Sequence, residues 1–337
     1  METNPTIVFT APREVAIEER EKPTPEAAQL LVRTRRSLIS TGTELTVYSG
    51  EFPENSAWSD YGSYPFLAGY SSVGEVVAAG PDADQHWIGK RVVTGMPHAL
   101  YNLIDSPAAQ PVYQDRVSDD EAAFHTLAVI VANGVRRAGI GWGESVVIYG
   151  AGLLGQLAAR FCRLCGARPV IVVDIADARL ELLPDDPAIL PVNPTRDDLL
   201  ALVEKATRGR LADVVFEVTG NQNLIVDEFK PLRRQGRFIL LSSPRGPTPF
   251  DFHDLCNDPS YTIIGTHVGS HPRHGELDLP WTIKRNTELF LDLLADGEIA
   301  VAPLITHREP YTEATRLYPM LLKDRSATLG VILQWPD

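Results

Sequence analysis

The chain has 337 residues, enough for about two domains of ordinary size. Its 44% hydrophobic and 22% charged residues match a globular protein and exclude disordered and fibrous classes. With 44 Asp and Glu against 31 Lys and Arg, the formal charge of −13 repels phosphate backbones and anionic bilayers, so neither nucleic acid nor a membrane is expected as a partner.

Three cysteines, Cys162, Cys165 and Cys256, are too few for a disulfide framework and form no four-ligand zinc lobe. The first residues lack a basic segment followed by an apolar stretch, and no run reaches the roughly 18 apolar residues of a membrane span. A soluble, cytoplasmic protein is expected.

In chain order, residues 1 to about 125 carry short β-branched runs divided by Gly, Pro and Asp: Thr6 to Phe9, Leu30 to Thr34, Val73 to Ala78 and Arg91 to Val93. This reads as a mostly-β region. From Asp119, apolar residues at helical spacing behind acidic ones predict a long helix across the domain boundary. There follow SVVIYG, a helix over about 153–165, PVIVVD, a helix near 176–182, DVVFEVTG, a helix near 224–233, and GRFILLSS. Strands alternating with helices predict βαβ units and a parallel sheet, and the unbroken apolar runs VVIY, VIVV and FILL fit strands covered on both faces. Beyond TIIGTHVG come a loop with Pro and His, an amphipathic helix within 281–299, and the closing strand ATLGVILQW, expected to return to the first domain.

Gly150, Gly152 and Gly155 bracket Leu153 and Leu154 in G-A-G-L-L-G, directly after a predicted strand and before a predicted helix. The first glycine permits a tight turn, the second lets backbone approach a pyrophosphate, and the third lets helix pack on strand. Asp174, nineteen residues past Gly155, ends the next strand. A carboxylate there accepts from the adenosine ribose hydroxyls and repels a 2′-phosphate, so NAD is the expected cofactor. Ile175 and Ala176 supply no compensating cation, while Arg179 either covers the adenine face or is solvated. Val218, Thr219 and Ser242 fall at the ends of later strands, where an open α/β sheet meets its ligand or simply starts a loop. The C-x-x-C of Cys162 and Cys165 lies in the third turn of its helix, away from the thiolate-stabilising N-terminus, and reads as packing.

The stretches LISTGTELTVYSGEFP, YPFLAGYSSVGEVVAAG and GKRV, followed by the glycine-rich domain, resemble the medium-chain dehydrogenase/reductase superfamily over nearly the whole chain. ISTGTE and YPFLAGYSSVGEV are similar to its zinc-lacking branch, which includes the bacteriochlorophyllide 3-hydroxyethyl dehydrogenase of photosynthetic bacteria. The resemblance implies an α/β protein with a GroES-like, mostly-β catalytic domain (1–125 and 268–337) split around a doubly wound Rossmann NAD-binding domain (126–267). It further implies an active site in the cleft between them and a homodimer joined through the Rossmann sheets.

The zinc-dependent motifs are altered. Thr41-Gly42-Thr43-Glu44 stands where the family has C-G/H-T/S-D, Gly69-Tyr70-Ser71 stands for G-H-E, and the third ligand position falls on His125. One competent ligand of three predicts no catalytic metal. The resemblance then makes Tyr70 and His125 neighbours, with Tyr70 donating to the substrate oxygen and His125 exchanging the proton near neutral pH. Alternatively, Tyr70 fills the vacated volume and His125 is a core histidine. Thr43 matches the family's relay hydroxyl, and Glu44 matches an acidic position of structural role. His98, in a G-x-H-A-like stretch, also reads as structural.

Thr41, Trp58, Tyr64 and His267 are the substrate-contact candidates, with Tyr61 and Phe66 in the same aromatic segment. Thr266 lies where the family's chain passes the nicotinamide. His271-x-x-His274 reads as a polar loop, not a metal site. The expected activity is zinc-independent hydride transfer between NAD(H) and a small-molecule secondary alcohol or ketone, such as a sugar or cyclitol. Two readings compete with it: an NADPH-dependent quinone or enone reductase of the same superfamily, and a non-catalytic dinucleotide-binding sensor.

Overall fold

A computed structural model describes residues 3–272 and 274–336. Its contacts divide the chain into two units, Met1–Ala128 with Pro272–Asp337, and Val129–His271.

The first unit begins with β1 (Thr3–Ala11), β2 (Glu14–Glu21) and β3 (Gln29–Leu38), then the short helices α1 (Thr43–Ser49) and α2 (Ala57–Tyr61). β4 (Phe66–Leu67), β5 (Ser72–Ala79), β6 (Arg91–Thr94), β7 (Tyr101–Asp105) and β8 (Gln110–Pro111) follow. The single long helix expected from Asp119 is instead two, α3 (Asp119–Ala122) and α4 (His125–Ala138). Ser71 Oγ donates to the Ala123 carbonyl at the break, taking an acceptor that a continuous helix would use.

The second unit holds β9 (Val146–Tyr149), α5 (Leu153–Leu164), β10 (Val170–Val173), α6 (Asp177–Leu180), β11 (Ile189–Val192), α7 (Leu199–Ala206), β12 (Ala212–Glu217), β13 (Leu232–Leu240) and β14 (Thr262–Gly265). All six strands are parallel, in the order β11-β10-β9-β12-β13-β14. This is the doubly wound Rossmann order. Tyr149 pairs with Val173 on one side and Glu217 on the other, so the carboxyl ends of three central strands are level. The helix expected near 224–233 is reduced to a single 3₁₀ turn, Asp227–Phe229, and β13 starts at Leu232. Pro231, which cannot donate in a helix interior, ends it.

The chain then returns to the first unit through α8 (Ile283–Ala295), β15 (Ile305–Pro310), α9 (Ala314–Lys323) and β16 (Gly330–Gln334). β16 lies between β15 and β3 in a seven-stranded sheet ordered β15-β16-β3-β5-β6-β8, with β7 also paired to β3. A smaller sheet, β2-β1-β4, packs its buried Ile7 and Phe9 with Leu45, Tyr48, Leu317, Tyr318 and Leu333. The Phe9 ring meets that of Tyr318 edge-on at 4.8 Å, which fixes α9 on the N-terminal sheet. Among the described residues no helix is long and apolar enough to cross a membrane.

Candidate functional site

In the second unit, the candidate cofactor residues gather at the carboxyl edge of the parallel sheet. A Cβ at Gly155 would lie 1.8 Å from the Gly150 carbonyl oxygen, so only glycine lets α5 start this close to β9. No side chain caps α5 at Gly152, and its first-turn N–H groups at Leu153 and Leu154 stay available to an anion. Asp174 Oδ2 accepts from Ala151 N at 2.7 Å and Oδ1 from Ala176 N at 2.8 Å. The carboxylate thereby joins the glycine turn to the start of α6. Arg179 pairs with it at 3.8 Å, and Ile175 is 73% exposed beside it. These residues fit the adenosine and pyrophosphate portions of a dinucleotide.

Sequence reasoning missed the organising residue of the neighbouring loops. Glu217, fully buried at the end of β12, accepts from Thr219 N and Thr219 Oγ1, both at 2.7 Å, and from Gly220 N at 2.8 Å, and Ser242 Oγ donates to its other oxygen. Thr219 and Ser242 are thus held by one carboxylate. Val218, half-buried, precedes this turn. Thr266 is buried and bonds the Leu240 carbonyl through both its N–H and its hydroxyl, while the exposed His267 uses Nδ1 to accept from Gly269 N at 3.1 Å. A second carboxyl, Glu228, is 1% exposed, and neither of its oxygens has a hydrogen-bond partner among the described residues. Burial, reinforced by Glu217, pushes its pKa up to about 9. An acidic residue in an expected helix gives no sign of such burial.

In the first unit, Tyr70 Oη lies between Ser40 Oγ and Thr43 Oγ1, donating to Thr43 at 3.1 Å and sharing a short hydrogen bond with Ser40. Burial pushes the Tyr70 phenol up to about 12, while the two hydroxyl contacts pull the other way. Ser40 lies within ISTGTE but is not among the site residues read from the sequence. Its backbone is locked, since Ser40 N donates to Glu44 Oε1 at 2.7 Å and Ser40 O accepts from Glu44 N at 3.0 Å. Glu44 Oε2 in turn takes the Tyr318 hydroxyl at 2.5 Å and His98 Nε2 at 3.2 Å. A Cβ at Gly69 would strike the His98 ring at 2.4 Å, so the same imidazole supports the backbone leading into Tyr70. Glu44 and His98 thus brace the backbone around Ser40 and Tyr70.

The expected phenol-to-imidazole relay is not formed. His125 Nε2 bonds Thr126 Oγ1 at 2.9 Å, and Thr126 Oγ1 donates its one proton to the Tyr70 carbonyl, also at 2.9 Å. The imidazole must then donate, which fixes the Nε2–H tautomer and ties His125 to the Tyr70 backbone, not its hydroxyl. Burial lowers the His125 pKa to about 3, so the ring is neutral at the near-neutral pH where proton exchange is expected.

The substrate-contact candidates differ in what they leave free. Tyr64 Oη donates to the Val47 carbonyl, and Trp58 stacks on Phe52 at 6.4 Å and packs on the core. Tyr61, 49% exposed, contacts Trp58 and Phe66 edge-on. Thr41 is half-buried, with its carbonyl accepting from Arg325. Among the described residues no group of three or more His, Cys, Asp or Glu could hold a metal ion. The donors at the family's zinc positions, two hydroxyls and one imidazole, do not fit zinc.

The family model for zinc-binding dehydrogenases matches residues 154–283. L-galactonate-5-dehydrogenase of Escherichia coli K12 is 24% identical, with 98% of this chain and 99% of that protein aligned. The 2-desacetyl-2-hydroxyethyl bacteriochlorophyllide A dehydrogenase of Cereibacter sphaeroides is also 24% identical, over 98% and 97% of the two chains. An alcohol dehydrogenase from Escherichia coli CFT073, solved with NADH, superimposes with a TM-score of 0.81 at 18% identity, covering 99% of this chain and 100% of that one. The chain is thus similar along almost its whole length to dehydrogenases, and its fold is that of the medium-chain enzymes, a GroES-like domain with a Rossmann domain.

Proposed function

We propose that the protein is an NAD-dependent dehydrogenase that interconverts a secondary alcohol and a ketone without a catalytic metal. The observation that carries this reading is the hydroxyl trio of Ser40, Thr43 and Tyr70, built around the one residue of the three, Tyr70, that occupies a metal-ligand position of the family. The glycine turn, the α5 N-terminus and Asp174 hold the dinucleotide, and NAD(H), when bound, supplies or accepts the hydride. Tyr70 holds the proton given to the ketone oxygen in reduction and takes the alcohol proton in oxidation. Thr43, its resting acceptor, orients the substrate hydroxyl, and His125 keeps the Tyr70 backbone in place through Thr126. The Asp174 carboxylate favours NAD over NADP and speaks against the NADPH-dependent enone reductase.

The sugar-acid activity of the galactonate relative supports a polyhydroxylated substrate, and the tetrapyrrole alcohol of the Cereibacter relative is the second class to assay. Two chains are expected to join through β14, one of the two edge strands of the parallel sheet. The test combines metal analysis of purified protein by mass spectrometry, NADH titration by fluorescence, and turnover with sorbitol, L-galactonate and a hydroxyethyl chlorin. Near-zero zinc, saturable NADH binding and chelator-resistant turnover support the reading. Stoichiometric zinc needed for turnover overturns it, and NADH binding without turnover or any effect of Tyr70→Phe favours the sensor.

A further inference from the structure

The trio around Tyr70 is asymmetric. Tyr70 has one phenolic proton and directs it to Thr43 Oγ1, so the short contact to Ser40 is completed by the Ser40 proton. Ser40 is 6% exposed, and its Oγ has no other hydrogen-bond partner among the described residues. Its direction is set by the paired backbone bonds to Glu44, whose carboxylate is anchored by Tyr318 and His98. A hydroxyl that is buried, fixed and aimed at one oxygen behaves like the donors of an oxyanion hole, except that the oxygen belongs to the protein.

We propose that Ser40 is a positioning residue that holds the negative charge formed on the Tyr70 oxygen when Tyr70 gives its proton to the substrate. In reduction the Tyr70 O–H bond breaks, the proton goes to the ketone oxygen as that oxygen gains the electron pair displaced by hydride, and the phenolate remains hydrogen-bonded by Ser40. Solvent returns a proton to the phenolate after product leaves. Ser40 loses no proton in this sequence. The bond from Tyr70 to Thr43 is the one given up when substrate arrives, since Tyr70 has no second proton to offer.

The proposal rests on the reading of Tyr70 as the acid, and its test separates the two. The protein is produced with 3-fluorotyrosine, whose lower pKa brings the phenol into an accessible range, and the Tyr70 fluorine signal is assigned by its loss in Tyr70→Phe. That signal is titrated from pH 6 to 11 in the otherwise wild-type chain, in Ser40→Ala and in Ser40→Thr. Loss of a hydrogen bond to a charged oxygen is expected to make the phenol about tenfold less acidic in Ser40→Ala, with acidity restored in Ser40→Thr. Superimposable titrations in wild type and Ser40→Ala overturn the proposal, whatever the substrate proves to be. On any alcohol that is turned over, Ser40→Ala is expected to lower kcat about tenfold with KM unchanged and to have no further effect in a Tyr70→Phe background. If Tyr70→Phe keeps full activity while the titrations differ, the reading of Tyr70 as the acid fails and the hydrogen-bond assignment survives.

Discussion

Ser242 Oγ donates to the same buried carboxylate, Glu217, that receives the N–H groups of Thr219 and Gly220. The ends of β12 and β13 are thereby held by one side chain. Glu217→Ala removes the acceptor shared by several half-buried donors, at roughly 1–3 kcal/mol for each one left unpaired away from water. The expected outcome is a clear fall in Tm and at least tenfold weaker NADH binding, read by thermal unfolding and fluorescence titration. Unaltered NADH affinity would separate these loops from the cofactor.

Tyr70→Phe removes the proposed acid while keeping the ring. Turnover is expected to fall roughly 10² to 10⁴-fold, the usual contribution of a positioned proton donor. NADH affinity, which depends on the other unit, should not change. Retained turnover in steady-state assays would remove Tyr70 from the chemistry.

For Asp174, the choice of replacement matters because its two oxygens also bind Ala151 N and Ala176 N. Asn at this position keeps one acceptor and loses the charge, so the glycine turn should survive. NAD is expected to bind about tenfold more weakly and NADP to gain in relative terms. Equal preference ratios in wild type and Asp174→Asn, measured by competitive titration, would refute the assigned role.

Glu228 gives the protein an alkaline weakness. Its folded pKa, about 9, lies above the ordinary glutamate value of 4.5, so the fold holds the protonated form. Stability from this group is complete below pH 4.5 and is lost as pH rises through about 9. Gln mimics the neutral acid, so Glu228→Gln should exceed wild type at pH 8 by an amount on the order of 3 kcal/mol, with the gap closing at pH 4.5. Thermal unfolding from pH 4.5 to 9 reads both ends, and parallel curves would contradict it.

His125 has the opposite sign. Its folded pKa of about 3 lies below the ordinary 6.5, so its contribution is present above 6.5 and is lost as pH falls towards 3. His125→Gln, which keeps a donor to Thr126, should lose less stability than wild type between pH 7.5 and 5, by about 2 kcal/mol. It should leave the acid limb of any pH-rate profile in place. Disappearance of that limb would return His125 to the proton path.

The Rossmann unit was legible because its signals are local. A glycine turn between strand and helix, and an acid at the next strand end, need only a few adjacent residues to be read. The weak helix around residue 228 was not legible, because Pro231 and the β13 pairing outweigh a helical pattern that looks adequate alone. In the first unit, sequence pointed to Tyr70, Thr43 and His125 but misassigned their connections. Ser40 and Thr126 are ordinary hydroxyl residues whose importance comes from backbone carbonyls and carboxylates brought near them by folding. Tyr318 meets Glu44 from 274 positions away in the sequence, and nothing local marks either as the other's partner.

The place of β16 fixes an order of assembly during synthesis. This last strand lies inside the seven-stranded sheet, between β15 and β3, and not at its rim. As the chain emerges from the ribosome, the whole of Val129–His271 is available to fold while β3 still waits for a neighbour. Until β16 has been made, β3 keeps an unpaired backbone edge at Arg36, Ser37 and Leu38, an adhesive surface for other nascent chains. Loss of β16 would therefore open a central seam of the sheet.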